Sequence, residues 1–173
     1  MPGGVRHARQ SPGSFHQRLS GSMITIREAV PSDASAIADF QVLMAWDTER
    51  VRLDTDIVAK GVQSVFADRH KGAYYVAEID GAPVASALTT YEWSDWRNGT
   101  VLWVHSVFVK EKFRRRGVFR ALYSHIRALV ESNPQLKGIR LYVDKTNIPA
   151  QAVYEAIGMD GHHYRLFEWM KER

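Results

Sequence analysis

One mixed β-sheet with helices on both faces is the architecture this sequence predicts. It is an α/β (α+β) fold with elements in the order β-α-α-β-β-β-α-β-α-β. Three observations carry that reading. Apolar residues switch between period 2 and helical spacing throughout residues 23–173. Two dipeptides, Asp80-Gly81 and Asn98-Gly99, lie between strand-like runs, where residues that tolerate positive φ make hairpins. Further on, strand-like and helical runs alternate, which requires crossovers, so hairpin and crossover pairs share one sheet.

Ile24, Ile26 and Ala29 form the first strand. Pro31-Ser32-Asp33 starts a helix, with Ser32 placed to cap its free N–H groups. Ile37, Phe40, Leu43 and Met44 continue that helix at its own spacing. A second helix begins after Asp54 and runs through Ile57, Val58, Val62, Val65 and Phe66. Strands follow at 74–79 and 83–91, joined by Asp80-Gly81, and at 101–109 after Asn98-Gly99. A helix over 118–132 ends before Pro134 and Gly138. Residues 139–143 are a strand, 149–157 a helix closed by Gly158, and 164–169 a last strand.

The net charge is +4 in 173 residues, and its placement matters more than its sum. Residues 1–22 hold Arg6, Arg9 and Arg18 with no acid, and ten of them are Gly, Pro or Ser. Such a stretch cannot bury enough surface to offset its ordering entropy, so 1–22 reads as a disordered tail and 23–173 as a single domain. Cysteine is absent, which excludes disulfides and thiolate metal sites and fits a cytoplasmic setting. No apolar run approaches the length of a membrane span, so no membrane partner is expected.

The most informative stretch is 107–122. A strand ends, a basic loop follows, and Gly117 opens a helix. Helix N-termini bind anions through unpaired N–H groups and a partial positive charge, and glycine lets the backbone come close. Residues 110–120 carry six basic side chains against one acid. A solvated basic loop is the plain alternative. Neither the Walker ending nor the dinucleotide glycine pattern is present. Nor is a nucleic-acid motif in its expected context, so no nucleic-acid partner is expected.

Here the sequence resembles the GNAT superfamily of acyl-CoA-dependent N-acyltransferases, whose signature is Arg/Gln-x-x-Gly-x-Gly/Ala after a strand ending Leu-x-Val. This chain has Arg114-x-x-Gly117-x-Phe119 after Val107-x-Val109, with Arg115 where Gly is commoner and Phe119 in place of a small residue. The second family motif, Asn-x-x-Ala-x-x-x-Tyr-x-x-x-Gly-Phe, is matched by Asn147, Ala150, Tyr154 and Gly158, with Met159 replacing Phe. The resemblance spans residues 24–169. It implies a GNAT-like sheet in which the parallel strands 101–109 and 139–143 part in a V. It implies that acetyl-CoA lies there, its pantetheine paired with backbone of Val107, Phe108 and Val109. The pyrophosphate would rest on the turn formed by Arg114, Arg115, Arg116, Gly117, Val118 and Phe119. Asn147 caps the following helix, and Tyr154, two turns on, is the family's acid for the leaving thiolate. A half-buried aromatic anchor is the plain alternative for Tyr154. Pairing of an open sheet edge into a homodimer is also consistent with the family.

The acceptor amine must be neutral to attack, so a base is needed. With period 2, Trp103, His105, Val107 and Val109 share one face of their strand, and His105 has the titration range of a base. A polar strand residue held by a neighbour is its plain alternative. Glu49, near Trp46 and Asp47 after the first helix, is the other candidate base. Glu92, Trp93, Asp95 and Trp96 could hold a cationic amine by charge and cation–π contact, and Tyr142 could reach the same pocket. No metal is expected, since His162-His163 and the other histidines lack ligand spacing. The sequence thus points to an acetyl-CoA-dependent N-acetyltransferase of a small-molecule amine, acting by direct attack. A non-catalytic acyl-CoA-binding module on the same fold is the alternative.

Overall fold

The computed structural model describes residues 14–19 and 22–171. They form one six-stranded sheet in the order β1-β2-β3-β4-β5-β6. The strands are β1 (Phe15–Leu19), β2 (Ser22–Glu28), β3 (Ala73–Ile79), β4 (Ala82–Ser94), β5 (Gly99–Val109) and β6 (Leu136–Arg140). β1 to β5 pair antiparallel, and β5 and β6 pair parallel. The helices are α1 (Ala34–Glu49), α2 (Thr55–Ala67), α3 (Val118–Ser132) and α4 (Ile148–Ala156).

The two sheet faces carry separate cores. Val118, Ala121, Leu122 and Ile126 form a helical stripe on α3 and bury against Ile24, Ile26, Tyr75, Ala85, Leu102 and Val104. On the other face, Ile37 of α1 and Val62 of α2 pack with Tyr74 and Val76. Truncating Leu122, fully buried, to Ala costs about 2–5 kcal/mol on the usual cavity scale. Phe40 of α1 stacks on Phe108 of β5 with centroids 5.2 Å apart, which holds α1 against that face of the sheet.

Local chemistry sets the element ends. Asp54 caps α2 by accepting from the N–H groups of Asp56 and Ile57 at 2.9 and 3.1 Å. Ser32 does not cap α1, nor does any other side chain. Its neighbour Asp33 instead fastens the short 3-10 turn at Pro31–Asp33, accepting from Val30 N–H at 2.7 Å and from Arg27 at 2.7 and 3.0 Å, while Arg27 also bonds Glu78. A carboxylate accepts both a backbone donor and a guanidinium, which one hydroxyl cannot match. Asp80 and Gly81 both take positive φ, +53° and +75°, as a two-residue hairpin requires. The Asn98-Gly99 hairpin is longer: Asp95, Trp96, Arg97 and Asn98 make the turn, and only Asn98 takes positive φ.

Three expectations change. Phe15–Leu19 lies within the stretch read as a disordered tail, yet forms β1 along the edge of β2, whose free backbone groups template an added strand. Residues 1–13 and 20–21 lie outside the described residues. The last parallel strand is Leu136–Arg140 rather than 139–143, because the chain leaves the sheet after Arg140. The strand expected at 164–169 does not form, and Tyr164, Leu166, Phe167 and Trp169 stand exposed.

Candidate active site

The site lies where β5 and β6 part. Their parallel ladder runs from Thr100↔Leu136 to Trp103↔Arg140 and stops. Beyond it, β5 stays paired with β4 on one edge, Phe108 opposite Ser86 and Val109 opposite Ala85. Its other edge has no strand beside it over Val107, Phe108 and Val109 among the described residues. These are the backbone groups to which the family motif assigns pantetheine.

A bulge changes which side chains share a face. The β4–β5 register passes from Leu88↔His105 to Ser86↔Phe108, so Ser106 and Val107 face Ala87 alone, and Ser106 takes φ +50°. The period of 2 therefore breaks. Leu102 and Val104 point into the α3-side core, as do Val107 and Val109 beyond the bulge. Trp103 and His105 point to the α1 side, with Leu88 opposite His105. The four residues expected on one face are thus split, two on each side.

On the α3 side, Gly117 precedes the helix in the left-handed region at φ +79°, after Arg115 at φ +59°. No side chain caps α3. The N–H groups of its first turn, at Val118 and Phe119, therefore have no intrahelical acceptor and suit an anion. Arg115 and Arg116 are exposed beside them. Arg114 turns away: it donates to Asp47 at 2.7 Å and to the Val109 carbonyl at 2.8 Å, tying this loop to α1. Across the gap, Asn147 caps α4 by accepting from Ala150 N–H at 3.1 Å. The Tyr154 ring meets Phe119 edge-on, centroids 5.5 Å apart. Burial pushes the Tyr154 phenol above its ordinary value of 10, so it keeps its proton at neutral pH. An uncapped helix start, a left-handed glycine and an unpaired strand edge together fit the phosphates and amide arm of a CoA.

On the α1 side, three rings converge. His105 lies 6.0 Å from Trp103, nearly parallel, and 5.4 Å from Tyr142, edge-on. His105 Nε2 sits 2.9 Å from the Thr90 hydroxyl. When Nε2 carries the hydrogen and donates to Thr90, Nδ1 holds the lone pair. Burial lowers the His105 pKa from its ordinary 6.5, so the ring is a neutral base at pH 7. Glu92 accepts from Trp103 Nε1–H and from Arg140. The Trp103 hydrogen bond, more than the Arg140 contact, holds its carboxyl below the usual range.

The remaining candidates lie elsewhere. Trp93 points opposite to Glu92, as consecutive strand residues do, and is exposed, as is Trp96 in the turn. Trp46 and Glu49 belong to the last turn of α1. The Trp46 ring is already met by Arg50 and Arg52, at 5.6 and 5.5 Å. No group of metal-binding side chains occurs among the described residues. Two site residues, Thr90 and Arg140, were not singled out from sequence. Period 2 along β4 and β6 would have found them, as partners of Glu92 and Tyr142.

Comparison with known proteins agrees with this geometry. The model of the acetyltransferase (GNAT) family matches residues 36–159. No curated protein matches. Among solved structures, a possible acetyltransferase from Clostridium difficile 630 is 41% identical over 87% of this chain and 99% of its own, with a TM-score of 0.81. An aminoglycoside N-acetyltransferase solved with CoA is 18% identical over 88% of this chain and 97% of its own, with a TM-score of 0.71. A predicted acetyltransferase with acetyl-CoA from Clostridium acetobutylicum is 16% identical over 87% and 96%, with a TM-score of 0.65. With the family model spanning both halves of the parted sheet, the chain belongs to the GNAT acetyltransferases and is an acyltransferase.

Proposed function

We propose that this protein acetylates the primary amine of a small molecule by direct attack on acetyl-CoA. The observation that carries the reading is His105. It is a half-buried imidazole on the α1 side of β5, its pKa lowered by burial, whose Nδ1 takes a proton when Nε2–H donates to Thr90, next to the bulge that opens the strand edge. Acetyl-CoA supplies the activated acyl group as a thioester. The unpaired edge at Val107, Phe108 and Val109 and the N–H groups of Val118 and Phe119 hold it. His105 Nδ1 takes a proton from the attacking amine. The nitrogen–carbon bond forms, the carbon–sulfur bond breaks, and Tyr154 gives its phenolic proton to the departing sulfur. The chain has no cysteine, so no thioester relay on the protein is open.

The two pKa directions suit the two roles. A lowered imidazole is available as base at neutral pH, and a raised phenol is still protonated there. The test is acetyl-CoA consumption with free-thiol detection across a panel of small amines. We expect CoA release that requires one class of amine. In Tyr154→Phe we expect kcat to fall about 100-fold with little change in the acetyl-CoA KM, the usual scale for one general acid. A Tyr154→Phe enzyme with full kcat would remove the acid assignment. Binding of acetyl-CoA with no turnover over the whole panel would overturn the small-amine reading.

A further inference from the structure

The charges around His105 bear on which amine is accepted. From sequence, the acidic and aromatic residues could hold a cationic amine. In the structure the acids nearest the site, Glu92, Asp95, Asp47 and Asp144, each already accept a hydrogen bond. Both Glu92 oxygens are occupied, one by Trp103 Nε1–H and the other by Arg140 Nη1–H. Asp47 is bonded to Arg114, Asp95 accepts from Trp96 N–H, and Asp144 accepts from both donors of Thr146. Trp46 is covered by Arg50 and Arg52. Glu49 alone remains, exposed at the end of α1.

At the ring cluster the Glu92 charge is offset by Arg140, while Arg140 keeps donors to spare. Glu92 is the one side chain bonded to Arg140 among the described residues, and it uses only Nη1. A guanidinium has five N–H donors in a planar fork, so most of that fork is unused. Arg140 is also held in place. Its side chain is one-third exposed, and the guanidinium carbon lies 6.0 Å from the Trp103 ring and 5.8 Å from the Tyr164 ring. A fixed fork with free donors, beside aromatic walls, is the arrangement that recognises a carboxylate in a bidentate manner.

The spacing matches. The Arg140 guanidinium carbon and the His105 ring each lie 6.0 Å from the Trp103 ring, so both groups flank one indole. An amine hydrogen-bonded to His105 and a carboxylate hydrogen-bonded to Arg140 each add a contact of about 3 Å, so a few bonds between amine and carboxylate bridge the two. We infer that the acceptor is an amino carboxylate, an amino acid or a close analogue, whose carboxylate is bound by the free donors of Arg140 while His105 serves its amine. This rests on the proposed small-amine reading and names the acceptor class for it.

The test compares amino acids with their carboxamides, which keep the amine and lose the charge, and with a polycationic amine. Each is assayed by thiol release and separately by calorimetric binding to the complex with CoA. We expect kcat/KM to favour the amino acid over its amide about 10- to 100-fold, the scale of a charge-assisted hydrogen bond. In Arg140→Gln we expect that preference to vanish through the acceptor KM, with the acetyl-CoA KM unchanged. Arg140→Lys, which keeps the charge but not the fork, should retain a part of it. Transfer to amine and amide alike in the unaltered protein would overturn the inference and leave the small-amine reading standing. Carboxylate-dependent binding without transfer would uphold the carboxylate site on Arg140 and overturn that reading. Failure of both assays would overturn both.

Discussion

The two halves of the parted sheet are built from different materials. The donor half is mostly backbone: the unpaired edge of β5, Gly117 at φ +79°, and the uncapped start of α3. The proposed acceptor half is side chain: Thr90 and Glu92 from β4, Trp103 and His105 from β5, Arg140 from β6 and Tyr142 just past it. The first half can serve any acyl-CoA enzyme of this shape, because backbone groups do not depend on residue identity. The second half discriminates, because a change of side chain changes the ligand it fits. Tyr154 is the donor-half exception, a side chain that supplies a proton in the proposed mechanism.

Substitutions that respect this division should separate the two halves. The larger effect is expected at Gly117. Valine is strained at positive φ, by about 1–3 kcal/mol, so Gly117→Val should disturb the phosphate turn. Steady-state kinetics should show the acetyl-CoA KM rising about 10- to 100-fold, with the acceptor KM nearly constant. A rise confined to the acceptor KM would break the division. The smallest effect is expected at Trp93 and Trp96, which are exposed and outside the ring cluster. Trp93→Ala and Trp96→Ala should each keep kcat/KM within about twofold and stability within about 0.5 kcal/mol. A large loss of acceptor affinity in either would extend the acceptor half around the hairpin.

The same division explains what could be read from the sequence. The donor half was legible because its requirements are local. Gly117 after a strand and before a helix, and Asn147 seven residues before Tyr154, declare themselves by spacing. The α3 span 118–132 follows from its apolar stripe. The acceptor half was legible only in part, because it is assembled from strands paired across long sequence separations. Glu92 and Arg140 are 48 residues apart and join only in the sheet. The bulge at Ser106 was not legible either: a strand read at period 2 does not show where it gains one residue. That residue moves Trp103 and His105 to the face opposite Val107 and Val109. The strand expected at 164–169 had the right residue types, but propensity does not supply a partner edge.

The central claim is that a neutral His105 on the α1 side of β5 accepts the proton of the attacking amine. The most direct test is the pH dependence of kcat/KM for acetyl transfer, in the unaltered protein and in His105→Gln. Burial lowers the His105 pKa, so the base is already neutral at pH 7 and becomes protonated only as pH falls below the ordinary 6.5. The predicted profile has an acidic limb with an apparent pKa below 6.5, alongside an amine limb at higher pH that both proteins share. His105→Gln should lose the acidic limb and about 100-fold or more in rate. An acidic limb that persists unchanged in His105→Gln would contradict the account.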